Sequence, residues 1–177
     1  QPNADVRPWD KESILKLRKK KGFTLIELMI VIAIIAIIAA IAIPNLIEAR
    51  KHGNEAAAIG ALKTVASSQS LFREGDKEGD GEMDYGTLSE LADESLVDSI
   101  LGTGTKQGYT FAGSYSATTS QFLWYCVANP ALVGTTGDRY FATNHEGVTY
   151  FTNSAVVTPN TTDCASPSTI GMTPIGK

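Results

Sequence analysis

A single carboxylate, Glu27, lies inside an apolar stretch, where a charge needs a partner or a specific role. Residues 23–43 are apolar except for Thr24 and Glu27, and the run from Leu28 to Ile43 is unbroken. Ionised groups are rare in such stretches because the surroundings penalise the charged form unless an opposite charge is near. Glu27 is therefore a candidate for an ion pair. The alternative is a side chain that only sits at the headgroup interface of a membrane.

Five carboxylates alternate with other residues in a short loop, and oxygen ligands in this spacing can hold a hard cation such as calcium. Gly81 takes the sixth position, as at the start of a calcium loop of EF-hand type. The third position is a glutamate where Asp or Asn is usual, however, and the twelfth is Thr87 instead of a bidentate glutamate. A weak calcium site and a solvated acidic loop with turn-forming glycines therefore both stay open. The five carboxylates are Asp76, Glu78, Asp80, Glu82 and Asp84.

Groups of residues that would indicate catalysis are missing from the sequence. The only histidines are His52 and His145, and neither has a nearby Ser or Cys in the context of a nucleophile. No phosphate-binding glycine loop of the Walker type is present. The basic cluster at residues 18–21 adjoins the apolar stretch and the chain beyond it is acidic, so no nucleic-acid partner is required. We expect a protein that is not an enzyme.

The apolar stretch is long enough to cross a membrane once. At about 1.5 Å per residue, residues 23–43 make a helix of roughly 32 Å, close to the roughly 30 Å hydrocarbon core of a bilayer. Residues 1–22 carry a net charge of +4 and residues 23–177 carry −8. Because positive flanks stay cytoplasmic, the N-terminus should lie inside and the body of the chain outside. A secretory signal peptide is disfavoured, since its apolar core has only about 7–15 residues and no small-x-small site follows here.

Two cysteines, Cys126 and Cys164, lie in the part of the chain that we expect outside the cytoplasm. Thiols pair as disulfides in oxidising compartments, so a disulfide is the leading interpretation. A closed loop of roughly 39 residues stabilises by about 3–4 kcal/mol in the chain-entropy model. Metal binding is the weaker alternative, because no His or further Cys lies near either residue.

The junction at the start of the apolar stretch resembles a known family. The residues KKKGFTLIEL, from Lys19 to Leu28, look like the N-terminal signature of bacterial type IV pilins and of the related type II secretion pseudopilins. The resemblance implies that a prepilin peptidase cuts between Gly22 and Phe23 on the cytoplasmic side, and that Phe23 is then methylated. It covers only about residues 18–50. A disulfide between the C-terminal segment and the sheet is also common in that family.

Two further positions agree with the family's helix, namely Glu27 and Pro44. A carboxylate one turn after a free amine can pair with the amine of a neighbouring copy, and such a charge-assisted pair fixes the axial step of a filament. The sequence also contains a basic leader, residues 1–22. We expect either an unprocessed precursor or a subunit that keeps its leader. In the second case Phe23 has no free amine, and residues 18–21 of a neighbour are the nearest cations.

One long helix is predicted from about Phe23 to Arg73, kinked near Pro44. Proline removes one intrahelical hydrogen bond and clashes with the preceding turn, so a kink or an unwound stretch is expected at residues 41–45. In the second half, apolar residues recur at three- and four-residue steps and mark one face for a core, with Gln69 as a polar exception. That face consists of Ile59, Leu62, Val65, Ala66, Gln69 and Phe72.

The pattern of residues 87–101 predicts a short helix or two turns. Beyond Gly108 the apolar residues recur at every second position, which indicates strands. Strands joined by short turns form an antiparallel sheet in meander order, which the second half of the long helix covers. The predicted fold class is α+β, with a long kinked N-terminal helix packed against a roughly four-stranded antiparallel sheet, as in type IV pilins. The residues expected to face inward from the helical part are Leu88, Leu91, Leu96 and Ile100. The four strands are expected at Tyr109–Gly113, Gln121–Asn129, Arg139–Thr143 and Val148–Asn153.

The sequence divides into a basic leader (1–22), a hydrophobic transmembrane or filament-core helix (23–54) and a globular head (55–177). With the resemblance, this indicates the structural subunit of an extracellular type IV pilus-like filament, a homopolymer through its N-terminal helices. The expected partners are the inner membrane before assembly, the prepilin peptidase and the assembly machinery, with the cell surface as the final location. Two alternatives stay open: a pseudopilin of a type II secretion system with a structural calcium, and a membrane-anchored binding module that never polymerises.

Overall fold

The computed structural model of the chain describes residues 22–77, 79, 81–116, 121–154 and 171–176. Two compact units divide between Ala42 and Ile43. A long N-terminal helix and an antiparallel sheet confirm the predicted α+β class. The helices are α1 (Leu25–Glu74), α2 (Leu88–Asp93) and α3 (Ser99–Gly102). The strands are β1 (Thr105–Lys106), β2 (Tyr109–Tyr115), β3 (Trp124–Pro130), β4 (Tyr140–Asn144), β5 (Thr149–Thr152) and β6 (Thr173–Pro174).

Helix α1 agrees with the predicted long helix to within two residues at each end. Pro44 lies inside it, and helical geometry continues through this residue. The unwound stretch expected at residues 41–45 is therefore not formed, because a proline removes only one of the hydrogen bonds of a helix and the neighbouring turns keep theirs. The kink at Pro44 stays a prediction.

The second half of α1 packs one face into the core of the second unit. Leu62 and Val65 are fully buried and Phe72 is nearly so, as the three- and four-residue spacing predicted. Ile59 and Ala66 are only partly buried and lie at the edge of this face. Gln69 is buried because its side-chain amide donates to the carbonyl oxygen of Gly86 (2.6 Å) and accepts from the N–H of the same residue (3.1 Å).

Within the described residues, the sheet is a meander of six strands in the order β1-β2-β3-β4-β5-β6, with every neighbouring pair antiparallel. The sequence predicted four strands, which correspond to β2–β5. The additional strands β1 and β6 have two residues each, too few to produce an alternating pattern. One face of the sheet packs against α1 and α2 in the main core, and residues on the other face form a second, smaller cluster around Tyr125, Tyr140 and Tyr150.

The segment between α1 and the sheet forms two short helices, each with a side-chain cap. Thr87 and Glu90 form a capping box at the start of α2. The prediction that Ile100 faces inward was wrong, since this side chain is 60% exposed. The break between α2 and α3 shifts the helical phase, so that Val97 and Leu101 are buried instead. Leu88 and Leu91 are buried as predicted.

Candidate functional site

The predicted processing junction is freely accessible in the structure. Gly22 is exposed, and a Cβ atom built on it would meet no other atom within 4 Å. The fold itself therefore does not require glycine at this position. Phe23 is 87% exposed. The rest of the predicted leader, residues 1–21, lies outside the described residues.

Glu27 and Thr24 form a reciprocal capping arrangement at the start of α1. The Oε2 atom of Glu27 accepts from the backbone N–H of Thr24 at 2.8 Å and from its hydroxyl at 2.7 Å. The Thr24 hydroxyl oxygen in turn accepts from the N–H of Glu27 at 3.2 Å. Within the part of the chain that the structure describes, the Oε1 atom accepts no hydrogen bond and no Lys or Arg pairs with this carboxylate. One carboxylate oxygen therefore holds the helix terminus, and the other is free to accept from a second molecule.

The apolar half of α1 presents hydrophobic side chains in every direction. Each large apolar side chain from Phe23 to Ile43 is exposed by half or more. Of the described residues, this helix is long and apolar enough to cross a membrane. Alanines recur along it and permit close approach of a second helix. They are Ala33, Ala36, Ala39, Ala40 and Ala42.

The acidic loop keeps its carboxylates apart in the parts that are described. Both carboxylate oxygens of Asp76 face the N–H of Gly81, at 3.2 and 3.4 Å, and Glu82 accepts from the side-chain amide of Gln121 at 3.5 Å. Glu78 and Asp80 lie outside the described residues. Among the remaining acidic and metal-ligating side chains of the described ranges, no group of three converges. The calcium site, of which Asp84 is the fifth predicted carboxylate, stays a prediction. A calcium titration followed by thermal melting decides between this site and a solvated acidic loop.

Cys126 is a free thiol in the structure and is fully buried in the main core. Its sulfur would lie 3.4 Å from a Cβ atom on Gly113, on the side of the sheet that also contacts Leu88 of α2. Burial raises the pKa of the Cys126 thiol to about 12. The proposed partner Cys164 lies outside the described residues, so the disulfide stays a prediction.

The sequence analysis missed a charged contact between α1 and the sheet, which we call the clamp, formed by Glu55 and Arg139. The Oε1 atom of Glu55 accepts from the backbone N–H groups of Asp138 (3.0 Å) and Arg139 (3.2 Å). Its Oε2 atom accepts from the Nε (2.8 Å) and Nη2 (2.7 Å) atoms of Arg139. Burial alone would raise the pKa of Glu55, but the hydrogen bonds from Arg139 and from the Asp138 backbone outweigh it and lower the pKa below its usual range.

Lys51 adds a second link one turn earlier on α1. Its Nζ atom pairs with Glu48 at 3.0 Å and with Asp138 at 3.2 Å. The hydrogen bond to Glu48, and to a smaller extent the one to Asp138, raise the pKa of Lys51, while burial acts in the opposite direction. The sequence contained a signal for these contacts, because Glu55 lies three residues before Ala58 and continues the buried face of α1. A charge on such a face predicts a buried partner.

Comparisons with known proteins agree with the junction and extend beyond it. A family model described as the prokaryotic N-terminal methylation motif matches residues 17–43. The chain is 32% identical over 148 residues to the type IV wide pilus major component PilA4 of Thermus thermophilus, an alignment that covers 84% of this chain and 99% of that protein.

Two further relatives match over shorter lengths. The type IV major pilin protein PilA of Myxococcus xanthus is 45% identical over 73 residues, 41% of this chain and 33% of that protein. A fimbrial protein of Pseudomonas aeruginosa is 44% identical over 102 residues, 52% of this chain and 65% of that protein. No solved structure matches the chain.

Proposed function

The chain belongs to the type IV pilins, and on that premise we propose how its parts act in a filament. It is a structural subunit of an extracellular type IV pilus-like filament that polymerises through its hydrophobic N-terminal helix. The observation that carries this function is the match with PilA4 over 84% of this chain and 99% of that protein, together with an apolar helix exposed on all sides. None of the three relatives favours the pseudopilin or the binding module that does not polymerise. The relatives are pilus subunits, which supports a protein without enzymatic activity.

Processing is proposed to generate the form that assembles. A prepilin peptidase would cut between Gly22 and Phe23 on the cytoplasmic face of the inner membrane, and Phe23 would then carry the free, methylated amine. The exposed junction and the methylation motif over residues 17–43 support this step. The subunit would wait in the inner membrane with its head outside and move from there into the filament at the cell surface.

Glu27 is proposed to fix the register between neighbouring subunits. Its Oε2 atom stays bonded to Thr24, and its Oε1 atom accepts from the amine of Phe23 in a neighbouring copy. In surroundings without water, both charges are penalised unless the copies stack in register. Thr24 thus orients the carboxylate, while the charge of Glu27 selects the partner.

The Glu27→Gln variant separates these two roles. A glutamine can still accept from Thr24 and keep the capping arrangement, but it carries no charge. We expect normal amounts of the processed subunit in the membrane and a loss of surface filaments, measured by electron microscopy and by immunoblots of sheared and membrane fractions. Thr24→Ala, which removes the hydroxyl and keeps the charge, is the matched control and should assemble better than Glu27→Gln. Wild-type amounts of filament from Glu27→Gln would contradict the proposed pairing.

A further inference from the structure

The loop between β3 and β4 presents two large apolar side chains to solvent. In this loop, residues 131–139, Leu132 is 63% exposed and Val133 is 61% exposed. Neither side chain belongs to the two hydrophobic clusters of the head. Single exposed apolar residues are common on protein surfaces, but an adjacent pair at the tip of one loop is a candidate contact surface.

The backbone of this loop is held by its own hydrogen bonds. The carbonyl oxygen of Leu132 accepts from the N–H groups of Thr135 (3.1 Å) and Thr136 (2.9 Å) and from the Thr136 hydroxyl (3.1 Å). That hydroxyl oxygen accepts from the N–H of Leu132 at 3.1 Å, and the N–H of Gly134 donates to the carbonyl oxygen of Gly137 at 3.0 Å. The backbone that carries the two apolar side chains is therefore held in place, which lowers the backbone entropy lost when they bind.

The same loop is tied to α1 just beyond its apolar half. The side-chain amide of Asn54 donates to the carbonyl oxygen of Thr136 at 2.9 Å, and Glu55 and Lys51 bind the other end of the loop at Asp138. Ile47 lies one turn before Lys51 on the same face of α1 and is 45% exposed. The loop is thus anchored to residues 51–55 of α1, the first turns of the helix beyond the exposed Ile47.

We propose that Leu132 and Val133 dock on the apolar segment Leu25–Ile43 of a second copy in the filament. This inference rests on the proposed function, because it needs copies that polymerise through α1. That segment is exposed on every side and needs apolar cover once it leaves the membrane. The loop is hydrogen-bonded to α1, the helix through which the copies polymerise. It offers an apolar centre on a backbone that is held in place. Asp138, at the other end of the loop, is charged and pairs with Lys51, so the apolar tip has polar neighbours in the chain, as the apolar centres of protein interfaces do.

The first test places charges on the loop tip of the full chain. In cells without the wild-type copy, the double variant Leu132→Asp with Val133→Asp should give about tenfold fewer surface filaments or less, because two apolar groups lose their burial. The membrane pool of processed subunit and its resistance to limited proteolysis should stay unchanged. Ile100→Asp, which alters an equally exposed apolar residue on α3, is the matched control and should assemble normally. Wild-type amounts of filament from the double variant would overturn the inference.

The second test does not depend on how the charged variant folds. A photo-crosslinking benzoyl-phenylalanine in place of Val133 should link two copies in intact filaments, and mass spectrometry should place the second site within residues 25–43. Crosslinks elsewhere, or none in normal filaments, would overturn the docking. The two proposals fail in different ways. Wild-type amounts of filament from Glu27→Gln contradict the register charge, whereas filaments that form normally with the loop variants, or without the expected crosslinks, contradict the loop docking alone.

Discussion

At the scale of single residues, Cys126 shows how burial decides chemistry. The thiol has no exposed surface, and its raised pKa of about 12 keeps it protonated at neutral pH. Only the thiolate reacts with alkylating reagents, so a free Cys126 in the folded head should be inert. The same residue in an oxidised head would be unavailable for a different reason, since a disulfide to Cys164 leaves no thiol at all.

Alkylation therefore distinguishes these two states of Cys126. We expect that iodoacetamide leaves Cys126 unmodified in the folded, reduced protein and modifies it after unfolding, as measured by peptide mass spectrometry. Unfolding without reductant is the control for the disulfide. If Cys126 is then still unmodified and becomes reactive only after reduction, the oxidised protein holds it in a disulfide, as the sequence predicts.

At the scale of elements, the clamp joins α1 to the start of β4. A carboxylate whose pKa is lowered by folding contributes stability that is fully present above its unfolded pKa of about 4.3 and is lost as the pH falls through the folded value. Glu55 is such a group, because Arg139 and two backbone N–H groups bind its charged form. The attachment of the helix should therefore weaken below about pH 4.3.

The Glu55→Gln variant tests this contribution. We expect a loss of about 2 kcal/mol in the free energy of unfolding at pH 7, since hydrogen bonds to charged groups contribute about 1.5–3 kcal/mol. The difference from wild type should shrink as the pH falls below the unfolded pKa of about 4.3 and toward the lowered pKa of the folded protein, because wild-type Glu55 then becomes protonated. Glu48→Gln removes an exposed carboxylate and should change the stability little. Urea unfolding at several pH values measures this, and a difference that does not change with pH would contradict the ionic role of Glu55.

The same elements show what the sequence could predict and what it could not. The long elements were predicted well, because the spacing that buries Leu62 and Val65 is repeated along α1 and each of the strands β2–β5 spans four to seven residues. Ile100 was assigned to the wrong side because the break between α2 and α3 rotates the face that the second helix buries. The amino-acid composition of the segment gives no sign of this break. The clamp was missed because its partners, Glu55 and Arg139, are far apart in sequence, and only the packed fold brings their charges together.

At the scale of the whole molecule, the two halves of the chain have opposite requirements. Every buried residue of the described ranges lies at Lys51 or beyond, so the head holds its own core, whereas none of residues 22–50 is buried in a single copy. The charges divide in the same way along the sequence, since the basic residues 1–22 precede the apolar stretch and the acidic head follows it. Docking of the loop tip would bring the two halves of different copies together.

A chain that begins at Asn45 should consequently fold without detergent and stay monomeric. It keeps the core residues of α1, the clamp and all six strands, and it lacks the exposed apolar side chains of residues 23–43. Apolar surface on that scale drives association, so its removal should abolish assembly without unfolding the head. Light scattering should give a monomer, and circular dichroism should show cooperative melting. A chain that begins at Phe23 is the matched control and should need detergent or form polymers. An Asn45 chain that is unfolded or aggregated would contradict the independence of the head.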